Sequence, residues 1–149
     1  MNLKEFMTQD HNRLERILRD FLSVGDEELA QARKLFHEFK IGVERHLAWE
    51  EEVLFPSIEC RTGMQAPGPS TLVRSQHRQI REFLEKIFAR ILNGESAKEA
   101  QRELIDLLAL HSREEERVLY PWVDLCLCLE EKEEAIERMK RLPAGKAHR

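Results

Sequence analysis

Along four stretches of this chain, apolar residues recur at alternating steps of three and four. At six places the step lands on a His or a Glu instead. A seam with that period is one face of an α-helix packed against its neighbours. The first stretch is Leu3, Met7, His11, Leu14, Leu18 and Phe21. The second is Phe36, Phe39, Val43, His46, Glu50 and Val53. The third is Val73, His77, Ile80, Leu84, Ile87 and Ile91, and the fourth is Leu104, Leu108, His111, Glu115, Val118 and Trp122. Four such helices with short connections predict an all-α, up-down-up-down four-helix bundle.

Cap and turn residues set the boundaries. Asn2 is placed to cap a first helix over about Leu3 to Ser23, and Asp26 to cap a second. The second carries Leu35, Phe39, Val43 and Val53 on one stripe and ends near Pro56 or a turn beyond. "RTGMQAPGPS" holds two Pro and two Gly and reads as a loop. A third helix then runs to about Leu92. "NGES" reads as the next turn, with Ser96 and Glu99 spaced as a capping box for the fourth helix, which runs toward Pro121. "EEKEEAIERMKRL" reads as a short charged helix and "PAGKAHR" as a frayed end. The 149 residues predict one domain over 1–149, with the bundle over about 3–124 and the C-terminal helix over about 125–142.

An ionised carboxylate in a core costs several kcal/mol unless it gains a proton, a partner or a metal. None of the four seams carries a Lys or Arg to pair with Glu50 and Glu115. Imidazole nitrogen and carboxylate oxygen together suit iron, manganese or zinc. Spacing supports a metal. Residues four apart share a helix face, so His46 with Glu50, and His111 with Glu115, each aim two ligands at one point. Depth is consistent as well: the midpoint between His77 and His111 falls on the Gly94 turn, and that between His46 and His77 falls at Arg61 and Thr62. The midpoint between His11 and His46 lies past the Gly25-Asp26 turn signal, so a longer loop or a tilt is expected there.

The donors allow a count. Four imidazoles and two bridging carboxylates give eight contacts, or about four for each of two metals where iron or manganese takes about six. The remaining positions stay open or go to a bridging oxygen. A single metal sealed by six protein ligands is the alternative. The phrases "HLAWEEEVLFP" and "HSREEERVLYP" also read as an internal duplication, each half supplying a lone His and then His-x-x-x-Glu, with Pro56 and Pro121 ending or kinking the helices beyond.

At His11, His46 with Glu50, His77, and His111 with Glu115, the chain resembles the hemerythrin-like family of HHE cation-binding domains. The likeness covers about Leu3 to Asp124. It implies a bundle holding a non-haem di-iron centre: two iron ions with a bridging oxygen species, manganese and zinc being accepted by the same ligands. The oxygen-carrying hemerythrins have a further His where this chain has Arg81, and an Asp where it has Glu116. The likeness is therefore to the bacterial HHE branch, whose members are linked to iron-centre repair and to nitric oxide and oxygen sensing. What it implies is a metal-binding protein that binds or reacts with oxygen or nitric oxide for sensing, storage or scavenging. The alternative is an iron-handling or redox enzyme that reduces peroxide or nitric oxide, or repairs iron centres. A bundle whose metal is purely structural is a third reading.

Composition closes other routes. The net charge is -4, from 24 basic and 28 acidic residues, and no dense basic patch offers a nucleic-acid surface. No apolar run reaches membrane-spanning length. A polar N-terminus without a leader and an odd count of three Cys fit a reduced, cytoplasmic setting. No general acid, base or nucleophile stands outside the ligand set, which disfavours a hydrolase. Several residues have plainer readings. His37 and His148 read as solvated; Glu51, Glu52, Glu114 and Glu116 read as surface charge, although the matching places of Glu51 and Glu116 leave a role behind the ligands open. Cys126 and Cys128 read as buried small hydrophobes and Cys60 as an ordinary thiol. Tyr120, which matches Phe55, reads as packing, with a place near the site as its alternative, and Trp49 and Trp122 read as core or interface anchors. The charged C-terminal segment reads as a solvated helix face, with a homodimer contact as its alternative.

Overall fold

The computed structural model describes residues 2–25, 27–62 and 69–143, with the backbone alone for 60–62 and 69–72. Every element among the described residues is helical. The first bundle helix is α1 (Leu3–Leu22). The second is α2 (Leu29–Trp49), a π-helical turn at Glu50–Leu54, and α3 (Phe55–Thr62). The third is α4 (Pro69–Leu92). The fourth is α5 (Lys98–Glu114), a second π-helical turn at Glu115–Leu119, and α6 (Tyr120–Cys126). A short α7 (Leu129–Arg141) completes the set. The four-helix bundle with a C-terminal helical extension is thus the architecture that the seams predict.

The Asn2 side chain accepts from the Glu5 amide at 2.8 Å and caps α1 as expected. The other two predicted caps differ. Helix α2 begins at Leu29 with Glu28 in the cap position; Asp26 itself lies outside the described residues. The Ser96–Glu99 box does not form, because Ala97 takes the cap position of α5 and the Ser96 carbonyl accepts from Arg90 instead. The α4–α5 turn depends on Gly94, whose φ of 72° lies in the left-handed region. Its amide donates to Ile91 and the Glu95 amide to Arg90, the paired bonds of a glycine-terminated helix. Residues 63–68, in the predicted Pro/Gly loop, and 144–149, in the predicted frayed end, lie outside the described residues.

Neither Pro56 nor Pro121 ends its helix. Each stands just after a π turn that opens on the motif glutamate, and the amides of Phe55 and Tyr120 donate back to the carbonyls of Glu50 and Glu115. A proline ring clashes with the carbonyl four residues back in a regular helix. The wider turn relieves that clash, so the chain continues as α3 and α6.

The extra residue in the second π turn rotates the helix beyond it. Val118, predicted on the seam, is 49 % exposed, and Trp122 is half-buried. Leu119, Tyr120 and Val123 are buried in their place. The other seams face inward nearly throughout, with Leu18, Leu35 and Leu108 only half-buried.

The core is two apolar clusters. One, around Leu14, Phe21, Phe36, Phe39, Leu84 and Leu104, fills the end of the bundle at the α4–α5 turn. The other, around Leu3, Met7, Leu54, Phe55, Ile58 and Tyr120, fills the opposite end. Helix α7 belongs to the second: Ala135 and Met139 are buried, while Glu133, Glu134, Glu137 and Arg138 face water. The segment predicted as a solvated face is therefore amphipathic and closes one end of the bundle. Cys128 is exposed and Cys126 half-buried, which corrects the reading of both as buried; Cys128 precedes α7, where Glu131 accepts from its amide at 2.8 Å. The Cys60 side chain and His148 are outside the described residues, and His37 is exposed as expected.

Candidate metal centre

Between the two apolar clusters lies a polar layer. Glu50, Glu115 and His77 are fully buried, His46 and His111 nearly so, and the His11 side chain is 10 % exposed. The four helices thus bring all six sequence-selected residues to one level.

The two carboxylates sit between two pairs of imidazoles. Glu50 Oε2 lies 3.3 Å from His46 Nε2, and Oε1 lies 2.8 Å from His77 Nε2. Glu115 Oε1 lies 3.0 Å from His11 Nε2, and Oε2 lies 2.9 Å from His111 Nε2. Each glutamate therefore turns one oxygen to each imidazole pair. Two overlapping donor sets result, His11, His46, Glu50 and Glu115, and Glu50, His77, His111 and Glu115; within each, the ligand atoms all lie within 4.8 Å of one another. Side-chain placement of this kind comes from the i, i+4 spacing of each His and Glu.

One contact decides what the cluster suits. His111 Nε2 and Glu115 Oε2 are 2.9 Å apart, yet neither makes a hydrogen bond. Two buried, unpaired polar atoms cost about 1–3 kcal/mol each. With the imidazole neutral, as a metal ligand must be, the Nε2 lone pair stands beside that oxygen, as two ligands of one cation do. Nitrogen and oxygen donors in this number fit a divalent or trivalent transition metal.

The profile of the hemerythrin HHE cation binding domain matches residues 2–123, and a second time residues 68–142. The chain belongs to the hemerythrin HHE cation-binding family. The second match begins near the start of α4, where the second half of the internal repeat begins. Relatives include the iron-sulfur cluster repair protein YtfE of Escherichia coli O1:K1 / APEC, 33% identical over 119 residues, covering 73% of this chain and 52% of that protein. The YtfE of Escherichia fergusonii matches to the same extent. A DNA nickase of Nostoc sp. (strain PCC 7120) is 25% identical over 120 residues, covering 80% of this chain and 33% of that protein. The chain spans about half the length, or less, of these curated relatives. No solved structure matches it.

In this hemerythrin-family domain, the outer nitrogen of every cluster imidazole meets a side-chain acceptor. Nδ1 of His11 donates to Glu116 at 2.6 Å, and that of His46 to Asp10 at 2.8 Å. Nδ1 of His77 donates to Glu51 and that of His111 to Gln76, both at 2.7 Å. These bonds leave each Nε2 facing the carboxylates and fix ring orientation. Glu51 and Glu116 are therefore not surface charge: one residue after each motif glutamate, they reach across to an imidazole on a neighbouring helix.

The seam does not single out Asp10 and Gln76, yet each directly precedes a lone cluster His, and that parallel is their signal in the sequence. Tyr120 is likewise more than packing. Its Oη lies 2.5 Å from Glu50 Oε2, 2.9 Å from Glu115 Oε1, 3.2 Å from His46 Nε2 and 3.3 Å from His11 Nε2. The π turn puts it there.

Without metal, protons hold the layer together. Burial pushes the His46 imidazolium down, but Glu50 and Asp10 outweigh it and raise its pKa to about 10. His77 also rises well above the ordinary value, burial being outweighed by Glu115, Glu50 and Glu51. Glu115 falls well below the carboxylate range: burial opposes ionisation, and His111 leads the groups that overcome it. Burial and the neighbouring Glu115 and Glu50 push the Tyr120 phenol well up, so it stays protonated and donates.

Proposed function

We propose that this chain holds a non-haem di-iron centre and binds or reacts with a small diatomic molecule, oxygen or nitric oxide, for sensing, storage or scavenging. In this reading His11 and His46 hold one metal, His77 and His111 hold the other, and Glu50 and Glu115 bridge both. The observation that carries it is the shared pair of carboxylates, each with one oxygen toward each imidazole pair. A single sealed metal would use all six groups around one point, whereas the donor atoms fall into two sets.

Bound iron would supply one-electron redox chemistry and open positions for a small ligand. The residues of the chain do the rest. Asp10, Glu51, Gln76 and Glu116 orient the rings, while Leu54, Phe55 and Ile58 on one side and Phe39 and Ile80 on the other keep bulk water out.

A second reading, repair of iron centres, draws support from the YtfE proteins, named for iron-sulfur cluster repair. Whole-protein activity of those longer relatives carries over only as this alternative. A cytoplasmic setting belongs to the proposal too; no helix among the described residues is long and apolar enough to cross a membrane.

The test is anaerobic loading of the metal-free protein with ferrous iron, counting iron per chain, then adding oxygen, nitric oxide or peroxide while recording spectra. Two iron ions per chain and a reversible band with oxygen or nitric oxide are expected. Irreversible oxidation with turnover selects the enzyme reading. Fewer than two iron ions, with Glu50→Ala leaving metal content unchanged, overturns the di-iron assignment.

A further inference from the structure

Cationic side chains gather where α1 meets α2, outside the polar layer. Two open clefts adjoin there, with Arg13 in the wall of both. One is also lined by Arg16 and Trp49, the other by Lys34 and Arg45. Two acids, Asp10 and Glu38, stand among these four cations, which leaves a surplus of two positive charges in a chain whose net charge is -4. Asp10 has little left to give. Its Oδ2 accepts from His46 Nδ1 at 2.8 Å and its Oδ1 from Arg13 Nε at 2.9 Å. Arg45 Nη2 stops 3.6 Å from Oδ1, too far for a hydrogen bond. Three donor atoms then have no hydrogen-bond partner among the described residues: Arg13 Nη2, Arg45 Nε and Trp49 Nε1. Trp49 is only 6 % exposed, so its unpaired N–H is costly. The three residues are neighbours. The Arg45 guanidinium lies over the Trp49 ring, 4.9 Å from its centroid. Gly42 lines the second cleft, and a Cβ there would come 3.4 Å from Arg13 Nη2, so that guanidinium lies against bare backbone of α2.

We propose that this junction is an anion site for a phosphate dianion, free or as the monoester of a small metabolite, held by Arg13, Arg45 and the Trp49 indole N–H. Guanidinium and indole donate and cannot accept, so the group that completes them must be an acceptor alone, as an oxyanion is. Guanidinium forks match phosphate oxygens, and a dianion matches the surplus of two charges. The three donor atoms are shut off from water, so entry requires a side chain to move. Arg45 is the one free to do so. Its side chain is 31 % exposed and is held by stacking on Trp49, whereas Arg13 is bonded to Asp10 and seated on Gly42. Lifting Arg45 uncovers the Trp49 ring. The cleft that Trp49 lines measures about 460 Å³, within the range of small-molecule sites, so an organic group fits beyond the phosphate. The site is separate from the two donor sets and touches them only through Asp10, so it does not rest on the di-iron reading.

The test titrates the full chain, as purified, with inorganic phosphate by calorimetry, beside its tryptophan ultraviolet resonance Raman spectrum. Phosphate is expected to bind about tenfold more tightly than acetate, and to move the Raman signal to that of a hydrogen-bonded indole N–H. Arg45→Gln is expected to weaken binding by about tenfold or more. Trp49→Phe, which keeps a ring beneath Arg45, is expected to weaken it by about tenfold and to remove the Raman change. Glycerol phosphate in the same series names the source: it binds if the ligand is a monoester and is excluded if the ligand is the free ion. Phosphate taken up by a bound metal instead would leave the indole signal unmoved and would not answer to either substitution. That outcome overturns the proposal. So does the absence of phosphate binding, or acetate binding as tightly as phosphate.

Discussion

Glu116 Oε2 lies 2.6 Å from Nδ1 of His11, although 105 residues separate the two in the chain. The carboxylate can only accept, so the imidazole proton sits on Nδ1 and Nε2 is turned to Glu115. The same relation joins Glu51 to His77 in the other half. Glu116→Ala is expected to weaken metal binding about 10–100-fold, the usual cost of losing a group behind a metal-ligating His. The helix content should not change, because Glu116 is a third exposed and fills no core space. Metal titration by calorimetry beside circular dichroism checks both parts.

Asp10 lies deeper than Glu51 and Glu116 and, like Gln76, is 7 % exposed. Two substitutions there separate charge from hydrogen bonding. Asp10→Asn keeps an oxygen for His46 Nδ1, as Gln76 does for His111, and should hold metal within about tenfold of wild type. Asp10→Ala leaves that N–H buried and unpaired, and should fall in the roughly 10–100-fold range. Equal losses for the two variants would show that the charge of Asp10, rather than its bond to His46, is what the metal needs.

The three-and-four seam makes the bundle and the polar layer legible because both obey one helical period. Its failures have two causes. Where the second π turn adds a residue, the period slips, so it points Val118 and Trp122 to inward positions that belong to Leu119, Tyr120 and Val123. Asp10, Gln76, Glu51 and Glu116 sit one residue off the seam, about 100° around the helix. On an isolated helix that is the flank. In a bundle the flank faces the next helix, and there these four find the imidazoles. The predicted Ser96 cap fails for a more local reason, since Ala97 holds the cap position and shifts Ser96 one place outside it.

Packing between α1 and α2 has its own test. A Cβ at Gly42 would lie 2.5 Å from Leu14 Cδ2 and 3.4 Å from Arg13 Nη2. Alanine in a helix gains about 0.5–1 kcal/mol over glycine, but overpacking a tight contact costs about 1–3 kcal/mol. Leu14 is buried and has little room to yield. Gly42→Ala is therefore expected to destabilise the metal-free protein by up to about 2 kcal/mol in urea denaturation. A stabilised variant would mean that Leu14 repacks freely.

On the proposed ligand set, metal and protons compete for the same nitrogens, and this sets opposite pH trends for the two forms of the protein. In the metal-free fold His46 is raised from 6.5 to about 10. Its contribution to stability is complete below pH 6.5 and declines as pH rises toward 10, because over that span the folded state holds a proton that the unfolded state has lost. Glu51 works at the acid end: burial raises it, but His77 and Arg81 outweigh burial and bring it from 4.5 to about 2, so its contribution is complete above pH 4.5 and is lost as pH falls toward 2. The metal-free protein should thus have its highest Tm between these limits. With His46 as a ligand, loading would remove its proton, so metal affinity should rise with pH and binding at about pH 7 should release protons to the buffer. Thermal melts of chelated and loaded protein over this range test the trend, and calorimetry in two buffers of different ionisation enthalpy measures the release. A metal-free Tm that climbs as pH rises from 6.5 toward 10 would show that protonated His46 does not hold the layer together.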